Sequence, residues 1–328
     1  MFPERIEFVQ RKFGPLLSQD DEAIFFNPDT PSDCLSLSLD KLVAYQTLFP
    51  VVDQLETAGI KCIQSISQQK FNLAIISIPN SKKLARHLIY LATKATPEGL
   101  IIVDGEKSNG IDSIIRDLKK QTKISNVISK AHGKTAWFET PAELEMYKDI
   151  PLKIEDGFKT QAGVFSADGI DPASKLLAQL FAGDLTGVGA DLGGGWGYLS
   201  VKALEKDSIS ELHFIEADFT AINLAKNNLN DKRVKFYWCD ALKWKAPQLL
   251  DFIIMNPPFH HLGRAIPTLG VDFIKVASRN LKKSGTLWMV ANRHLPYEDA
   301  IQHHFSSFSE LSDSKKFKVM RAENPINF

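Results

Sequence analysis

A glycine-rich segment in the second half of the chain has the spacing of a ligand-binding loop. Asp191-Leu192-Gly193-Gly194-Gly195-Trp196-Gly197 follows a predicted strand and opens a predicted helix. Glycines let the backbone turn tightly and approach a ligand closely. A dinucleotide loop reads GxGxxG, whose third glycine would fall on Tyr198. The observed DxGxGxG spacing instead suits S-adenosylmethionine (AdoMet), whose ammonium group can be held by backbone carbonyls and by a carboxylate such as Asp191.

Two acidic residues follow the next two predicted strands. Glu216 ends the strand after the glycine loop, where a carboxylate can accept hydrogen bonds from both hydroxyls of a ribose. Asp240 ends the third strand, where it could accept the adenine amino group while the Ala241 amide reaches a ring nitrogen. The alternatives are a solvated acid at a strand end for Glu216 and a turn cap for Asp240.

A second chemical motif, Asn256-Pro257-Pro258-Phe259, follows the apolar strand DFIIM. Its prolines stiffen the loop and remove two amide donors, which leaves the Asn256 side-chain oxygen and the Pro257 carbonyl as acceptors. Two such acceptors can form hydrogen bonds with the N–H groups of a conjugated amine and orient its lone pair towards a methyl group. Phe259 offers a face on which a flipped-out base can stack. The alternative is a proline-rich turn that caps a strand.

Strands and helices alternate in both halves of the chain, which predicts an α/β fold with parallel sheets. A polar stretch broken by Pro and Gly predicts a domain boundary near residue 150, with domains at 1–150 and 151–328. Residues 25–34, FFNPDTPSDC, read as a loop, and residues 81–95 read as a helix with Leu84, Leu88 and Leu91 on one face. Both chemical loops follow strands of the second sheet, so we expect them at the same sheet edge.

The two halves read as distant copies of one another. Residues 71–105 and 252–292 each run strand, loop, helix, small-residue turn, strand. Where the second copy has Asn256-Pro257-Pro258-Phe259, the first has Ile78-Pro79-Asn80-Ser81, and it lacks a glycine-rich loop. The first half is therefore interpreted as a duplicate that has lost its chemistry.

Composition excludes several classes of protein. The chain has 39 basic and 39 acidic residues, so any attraction to nucleic acid must come from a local patch. Its 3 cysteines are far apart, which favours a reducing cytosol over a disulfide framework, and no apolar run predicts a signal sequence or membrane span. His260, His261, His303 and His304 lack further ligands at suitable spacing, so no metal is expected.

Several segments together resemble the ribosomal RNA guanine-N2 methyltransferases of the RsmC/RlmG type: residues 163–177 (GVFSADGIDPASKLL), DLGGGWGYLS, NPPFHH, residues 289–299 and FKVMRA. The resemblance covers residues 160–323 and extends more weakly over the first half. It implies two tandem Rossmann-like class I methyltransferase domains, of which the N-terminal one is degenerate and assists folding and RNA binding. It also implies a cytoplasmic enzyme, expected as a monomer, that uses AdoMet to methylate a guanine of ribosomal RNA, with the small-subunit 16S RNA preferred. Its partner is then ribosomal RNA or a ribosomal subunit, and the choice between naked RNA and an assembled particle stays open.

The resemblance also assigns the site residues. Those implied to bind AdoMet are Phe165, Asp191, Gly193, Gly195, Glu216, Ala217, Asp240, Ala241 and Asn256. Those implied to hold the guanine amino group are Asn256, Pro257 and Phe259. Ser166 would border the cofactor pocket, whereas Asp168 and Asp171 receive no role. Trp196 departs from the family, which usually has a small residue there.

Three other functions stay open at this point. Glutamine methylation of a protein would usually end the loop in Tyr and add a helical N-terminal domain, whereas adenine-N6 methylation of DNA would need a target-recognition region. A non-catalytic RNA-binding protein would not need Asn256 or an intact glycine loop. Basic residues that could contact phosphates stand at 275–283 and at Lys315, Lys316, Lys318, Arg321, Arg264 and Arg293.

Overall fold

A computed structural model shows two units, each an α/β sheet with helices on its faces. It describes residues 2–14, 16–66, 68–141, 144–181, 183–258, 260–261, 264–265 and 267–326, with the backbone alone described at 260–261, 264–265 and 267. Contacts divide the chain into Met1–Ile150 and Pro151–Phe328.

The first unit contains seven strands: β1 (Glu22–Phe26), β2 (Lys41–Tyr45), β3 (Lys61–Ile63), β4 (Leu73–Ser77), β5 (Leu100–Glu106), β6 (Asn126–Lys130) and β7 (Gly133–Glu139). Its helices are α1 (Phe2–Phe13), α2 (Pro31–Leu35), α3 (Phe49–Thr57), α4 (Lys82–Ala95) and α5 (Ile111–Leu118). Short 3₁₀ turns lie at Lys107–Asn109 and Glu145–Tyr147. The sheet has the order β3-β2-β1-β4-β5-β7-β6, in which β7 runs in the direction opposite to the other six strands.

The prediction of a loop at residues 25–34 is wrong at both of its ends, which belong to a strand and a helix. Phe25 and Phe26 belong to the central strand β1 and are fully buried, because a central strand covered on both faces is apolar on both sides. Further along, residues 31–35 form α2, which has Pro31 at its first position and a capping box between Thr30 and Asp33. Proline and aspartate therefore mark a helix start here.

Helix α4 is confirmed, but its packing face is rotated from the expected one. Ser81 caps its start by accepting a hydrogen bond from the Leu84 amide. Ala85 and Leu88 are buried, whereas Leu84 and Leu91 are only partly buried. The small Ala85 lies where the helix approaches the sheet, so the larger leucines lie at the margin of the contact.

The second unit contains the glycine-rich and proline-rich motifs. Its main strands are β10 (Gly187–Leu192), β11 (Ile209–Glu216), β12 (Val234–Trp238), β13 (Leu250–Met255), β16 (Leu281–Asn292), β17 (Phe305–Glu310) and β18 (Phe317–Pro325). Two short hairpins pair β8 (Leu152–Lys153) with β9 (Lys159–Thr160) around a 3₁₀ turn at Glu155–Gly157, and β14 (His260–His261) with β15 (Arg264–Ala265). Its helices are α6 (Pro172–Phe181), α7 (Tyr198–Leu204), α8 (Phe219–Asn228), α9 (Pro267–Asn280) and α10 (Glu298–His304).

The two large sheets share one topology. The second has the order β12-β11-β10-β13-β16-β18-β17, which is the order of the first sheet when the seven strands of each are counted along the chain. Strands β10 to β13 and β16 are parallel, and β18 is antiparallel to both neighbours. Two apolar clusters, one on each face, enclose the second sheet. The carboxyl ends of β10, β11, β12 and β13 therefore meet at one edge, where both chemical motifs follow.

Candidate active site

A cleft at the carboxyl edge of the second sheet joins the two chemical motifs. It encloses about 370 Å³ of empty space, open solvent included. Its lining consists of Phe165, Ser166, Asp171, Ser174, Gly193, Gly194, Gly195, Trp196, Tyr198, Leu199 and Asn256. The glycine loop, the Asn256 side of the proline loop and the segment that enters α6 thus face the same space.

Backbone hydrogen bonds fix the glycine loop against strand β11. The Gly193 and Gly194 amides donate to the Ile215 carbonyl at 2.9 and 3.1 Å. Gly195 has a φ of +59°, in the left-handed region that favours glycine, and an added Cβ there would meet no atom within 4 Å. The loop therefore leaves an open space above Gly195 in which a ligand can lie close to the protein backbone.

Glu216 is held in place by two backbone amides. Its Oε2 accepts from the Gly195 amide and its Oε1 from the Asp218 amide, both at 2.8 Å. Burial raises the pKa of this carboxyl to about 7, although these backbone hydrogen bonds act to lower it. Each oxygen keeps a second lone pair for a hydroxyl donor.

Asp191 lies beneath the glycine loop and is fully buried. Its Oδ2 accepts from the Ser200 hydroxyl at 2.7 Å. Its Oδ1 has no hydrogen-bond partner among the residues that the structure describes. Burial raises the pKa of this carboxyl to about 7. A buried acceptor without a partner is costly, so a donor on a bound ligand would compensate it.

Two neighbours orient the side chain of Asn256. Its Nδ2 donates to Asp171 Oδ2 at 3.0 Å and to Ser174 Oγ at 2.9 Å. Asp171 also caps α6 by accepting from the Ser174 amide at 2.8 Å. Because a carboxylate can only accept, the amide nitrogen must face Asp171, and the amide oxygen is left as the acceptor for a ligand. Sequence reasoning missed these two partners of Asn256.

The glycine loop and the proline loop lie side by side. An added Cβ on Gly193 would lie 3.8 Å from Cδ of Pro258 and 3.4 Å from a ring carbon of Phe273 in α9. Pro257 is buried and Pro258 is exposed. The two motifs therefore border one continuous surface.

Trp196 joins the glycine loop to the segment before α6. Its Nε1 donates to the Phe165 carbonyl at 3.0 Å, and its ring packs against Phe158 and Tyr198. The indole is only 4% exposed, whereas the Phe165 side chain beside the cleft is 56% exposed. The residue that departs from the family thus fills a packed position and holds Phe165 at the cleft.

Three further predicted residues lie at the ends of β11 and β12. The Ala217 carbonyl accepts from Nε1 of Trp238 at 2.8 Å. Asp240 Oδ1 accepts from the Leu242 amide at 2.9 Å, and Ala241 is buried. They lie at the carboxyl edge of the sheet with Glu216 and, like Glu216 and Asp191, are not among the residues that line the cleft. The Phe259 ring and the side chains of His260, His261 and Arg264 lie outside the described residues.

The prediction that Lys318 and Arg321 belong to an exposed basic patch is wrong in part. Lys318 is buried and paired with Glu298, because its position in β18 faces the core. Arg321 pairs with Glu323 at 2.8 Å and lies over the Trp288 ring. The Lys318 side chain is therefore not available to a partner, whereas the Arg321 side chain is partly exposed but already bonded to a carboxylate.

In the described part of the chain, no group of three or more His, Cys, Asp or Glu side chains could hold a metal ion. No helix there is long and apolar enough to cross a membrane.

The family model of the methyltransferase small domain matches residues 155–321. This chain belongs to that family. Ribosomal RNA small subunit methyltransferase C of Shewanella pealeana is 31% identical over 262 residues, which is 76% of each chain. Ribosomal RNA large subunit methyltransferase G of Yersinia enterocolitica is 27% identical over 76% of this chain and 67% of its own.

A solved structure agrees with both units of this methyltransferase small domain protein. The 16S rRNA N2 methyltransferase RsmC of T. thermophilus, solved in complex with AdoMet and guanosine, has a TM-score of 0.79 at 21% identity and covers 98% of this chain and 92% of its own. The match confirms the predicted fold, two tandem Rossmann-like class I methyltransferase domains in one chain.

Proposed function

We propose that this chain transfers the methyl group of AdoMet to the exocyclic N2 amine of a guanine in ribosomal RNA. The observation that carries the proposal is that Asn256, with its amide nitrogen held by Asp171 and Ser174, lines the same cleft as Gly193–Gly195. An acceptor for an amine and a loop suited to a sulfonium donor are thus within one cleft. The relatives named above, two ribosomal RNA methyltransferases, support the substrate class.

The cleft fits AdoMet in three respects. Gly195 leaves open space for the methionine portion, and Glu216 is held ready for two ribose hydroxyls. Asp191 Oδ1, a buried acceptor that finds no donor within the described structure, suits the ammonium group, directly or through water. Asp240 and Ala241 at the end of β12 are proposed to bind the adenine, and Ala217 and Phe165 to border the cofactor.

AdoMet would supply an electrophilic methyl group on a sulfonium, whose sulfur leaves with the bonding electron pair. The chain supplies position and electrostatics. Asn256 Oδ1 and the Pro257 carbonyl are proposed to accept hydrogen bonds from the two N–H groups of the amine, which localises the lone pair on its nitrogen. Phe259 is proposed to stack on the guanine. The attacking nitrogen gains positive charge as it bonds the methyl carbon, so it becomes acidic and releases a proton to solvent without a strong base.

The finer assignments follow from the same proposal. We propose the 16S RNA of the small subunit as substrate, which places the reaction in the cytoplasm with the ribosome. We also propose that the protein acts as a monomer. The first unit, whose β1 is followed by Asn27-Pro28-Asp29-Thr30 instead of a glycine loop, is proposed to assist folding and RNA binding.

The decisive experiment compares the wild type with Asn256→Ala. We expect the variant to lose methyl transfer to ribosomal RNA while its calorimetric affinity for AdoMet stays near wild type, because Asn256 grips the amine. Asn228→Ala is a control on the other side of the loop, since Asn228 Nδ2 bonds the Trp196 carbonyl at 2.8 Å without lining the cleft. Comparable turnover in Asn256→Ala would remove Asn256 from the mechanism.

The substrate class is tested with radiolabelled AdoMet and, in turn, ribosomal particles, a protein release factor and DNA. Label in RNA alone, located at guanine N2 by mass spectrometry, is the expected result. Label in protein glutamine or in DNA adenine would favour the other amine substrates. The absence of label in all three, together with AdoMet binding, would favour a non-catalytic RNA-binding protein.

A further inference from the structure

A groove beside the cleft has the composition of a phosphate-binding surface. This rim groove is an open space of about 740 Å³, open solvent included, lined by Asn292, Arg293, His294, Lys315, Lys316 and Phe317. It lies between the end of β16 and the loop that joins β17 to β18. Both segments belong to the second unit.

The rim groove shares a sheet edge with Asn256. Strand β13 runs parallel to β16, with Met255 opposite Met289, so Asn256 and Asn292 leave the sheet at the same edge. Strand β18 runs antiparallel, and its first residue, Phe317, pairs with Asn292. Neighbouring strands are about 4.8 Å apart, so the loop before β18 begins roughly 10 Å from the proline loop, measured across the sheet.

The charge of the rim groove is unbalanced. Lys315 and Lys316 are exposed, and neither forms an ion pair with any residue that the structure describes. They differ in this from Lys318 and Arg321, whose carboxylate partners were given above. Two ammonium groups without partners at the rim of a cleft attract an anion.

Arg293 fixes the loop that carries these lysines. Its Nε donates to the Ser314 carbonyl at 2.7 Å, and its Nη2 bonds Glu310 Oε1 at 2.6 Å. The Arg293 amide also donates to the Lys316 carbonyl at 2.9 Å. Arg293 therefore holds the loop in one conformation. A preorganised loop loses less conformational entropy when a ligand binds.

We propose that the rim groove binds backbone phosphates of the RNA strand next to the target guanine, through Lys315 and Lys316. The inference rests on the proposed function, because the strand must pass this edge to place its base beside Asn256. Lysine ammonium groups act as point charges for phosphate and carry no base-specific pattern. The groove thus positions the strand, and the choice of base stays with the cleft.

One acidic residue of the same loop opposes this attraction. Asp313 is exposed and lies two residues before Lys315, without lining the rim groove. Its removal should therefore tighten binding of a phosphate chain, opposite in sign to removal of the lysines. This sign reversal separates electrostatic attraction from general damage to the loop.

The test measures the affinity of the full chain for a 20-nucleotide single-stranded RNA, about 0.1 M salt being the reference condition. Lys315→Ala/Lys316→Ala should raise the dissociation constant about tenfold and reduce the slope of log affinity against log salt by about 1.4, since two phosphate contacts are lost. Asp313→Asn should lower the dissociation constant. The matched control is Lys232→Ala/Lys283→Ala, which removes two exposed lysines at the amino ends of β12 and β16, on the opposite edge.

Two results would overturn the inference. One is an RNA affinity and salt slope equal to those of the control. The other is unchanged RNA affinity with reduced methylation of assembled subunits, which would assign the lysines to a protein contact. The proposed function can fail separately. If the wild type methylates no RNA while the lysine variant still loses RNA affinity, phosphate binding by the rim groove is supported and the proposed methyltransferase activity is rejected.

Discussion

The amide of Asn256 has one orientation because Asp171 and Ser174 take both of its hydrogens. Without them the amide could rotate and present its nitrogen to an amine, which repels. Asp171 is therefore a positioning residue, which acts on the reaction through Asn256.

Replacing Asp171 tests this role. Asp171→Ala should lower kcat about ten- to hundredfold, because a hydrogen bond to a charged group contributes roughly 1.5–3 kcal/mol. AdoMet affinity should stay near wild type. Asp171→Asn should recover most of kcat, since its amide oxygen can accept both bonds. A wild-type kcat in Asp171→Ala, measured by single-turnover methylation, would leave Asp171 with only a capping role.

The sequence predicted the glycine loop, the proline loop and the acids at the strand ends, because each follows a strand that its own residues indicate. It did not predict the partner of Asn256, since Asp171 lies 85 residues away and only the packing of α6 brings it near. Asp171 and Ser174 read locally as a helix start. No local sequence pattern distinguishes a helix-capping residue from one that also binds a side chain distant in the sequence.

Asp191 predicts a pH dependence of folding stability. Burial raises its pKa from 3.8 to about 7, so the folded state holds a proton that the unfolded state releases. The stability from this group is fully present below 3.8 and is lost as pH rises towards about 7. In urea titrations, Asp191→Asn should show a smaller decrease in the free energy of unfolding over that window. A wild-type slope in Asp191→Asn would contradict the assignment.

At the scale of elements, β10 and β11 determine how close the glycine loop can lie to the sheet. An added Cβ on Gly194 would lie 2.3 Å from the ring of Phe214, which is fully buried in β11. The three glycines at 193, 195 and 197 make the turn. Gly194 instead allows the loop to pack on the strand.

Gly194→Ala should therefore lower the free energy of unfolding by about 1–3 kcal/mol, the usual cost of overpacking, and weaken AdoMet binding. Gly183→Ala is the control, because an added Cβ there meets nothing within 4 Å. Its free energy of unfolding should stay within roughly 0.5 kcal/mol of wild type. Equal stabilities of the two variants in chemical denaturation would show that the loop can move away from β11.

Two edge strands that the sequence missed lack an apolar signal. Strand β17 reads FSSFSE, and only Phe305 in it is buried, because it pairs on one side alone at the edge of the sheet. Strand β6 lies at the edge of the first sheet in the same way and buries only Ile128. Hydrophobic periodicity predicts elements through burial, so edge strands escape it.

At the scale of the molecule, the same strand order occurs in both units, yet only the second has the glycine and proline loops. The first unit instead buries an ion pair at the end of its sheet. Arg5 of α1 bonds Asp104 at 2.8 and 2.6 Å, and the Thr135 hydroxyl donates to the same carboxylate at 2.5 Å. Both charged side chains are 2% exposed.

Arg5→Met should destabilise the first unit by about 3–5 kcal/mol, because it leaves Asp104 buried without its partner. The double variant Arg5→Met/Asp104→Leu should recover much of that loss, since no unpaired charge remains. AdoMet affinity should be unchanged in both, because the cleft consists of residues of the second unit. Calorimetric unfolding and AdoMet titration measure the two effects, and no recovery in the double variant would contradict the electrostatic origin.

Trp196 gives the glycine loop a fluorophore of its own. Of the 5 tryptophans, it is the one that lines the cleft within the described ranges. Arrival of AdoMet should change the polarity around the indole and therefore its emission. Trp196→Phe should remove most of that spectral response, so occupancy of the cleft can be followed in the unlabelled protein by light alone.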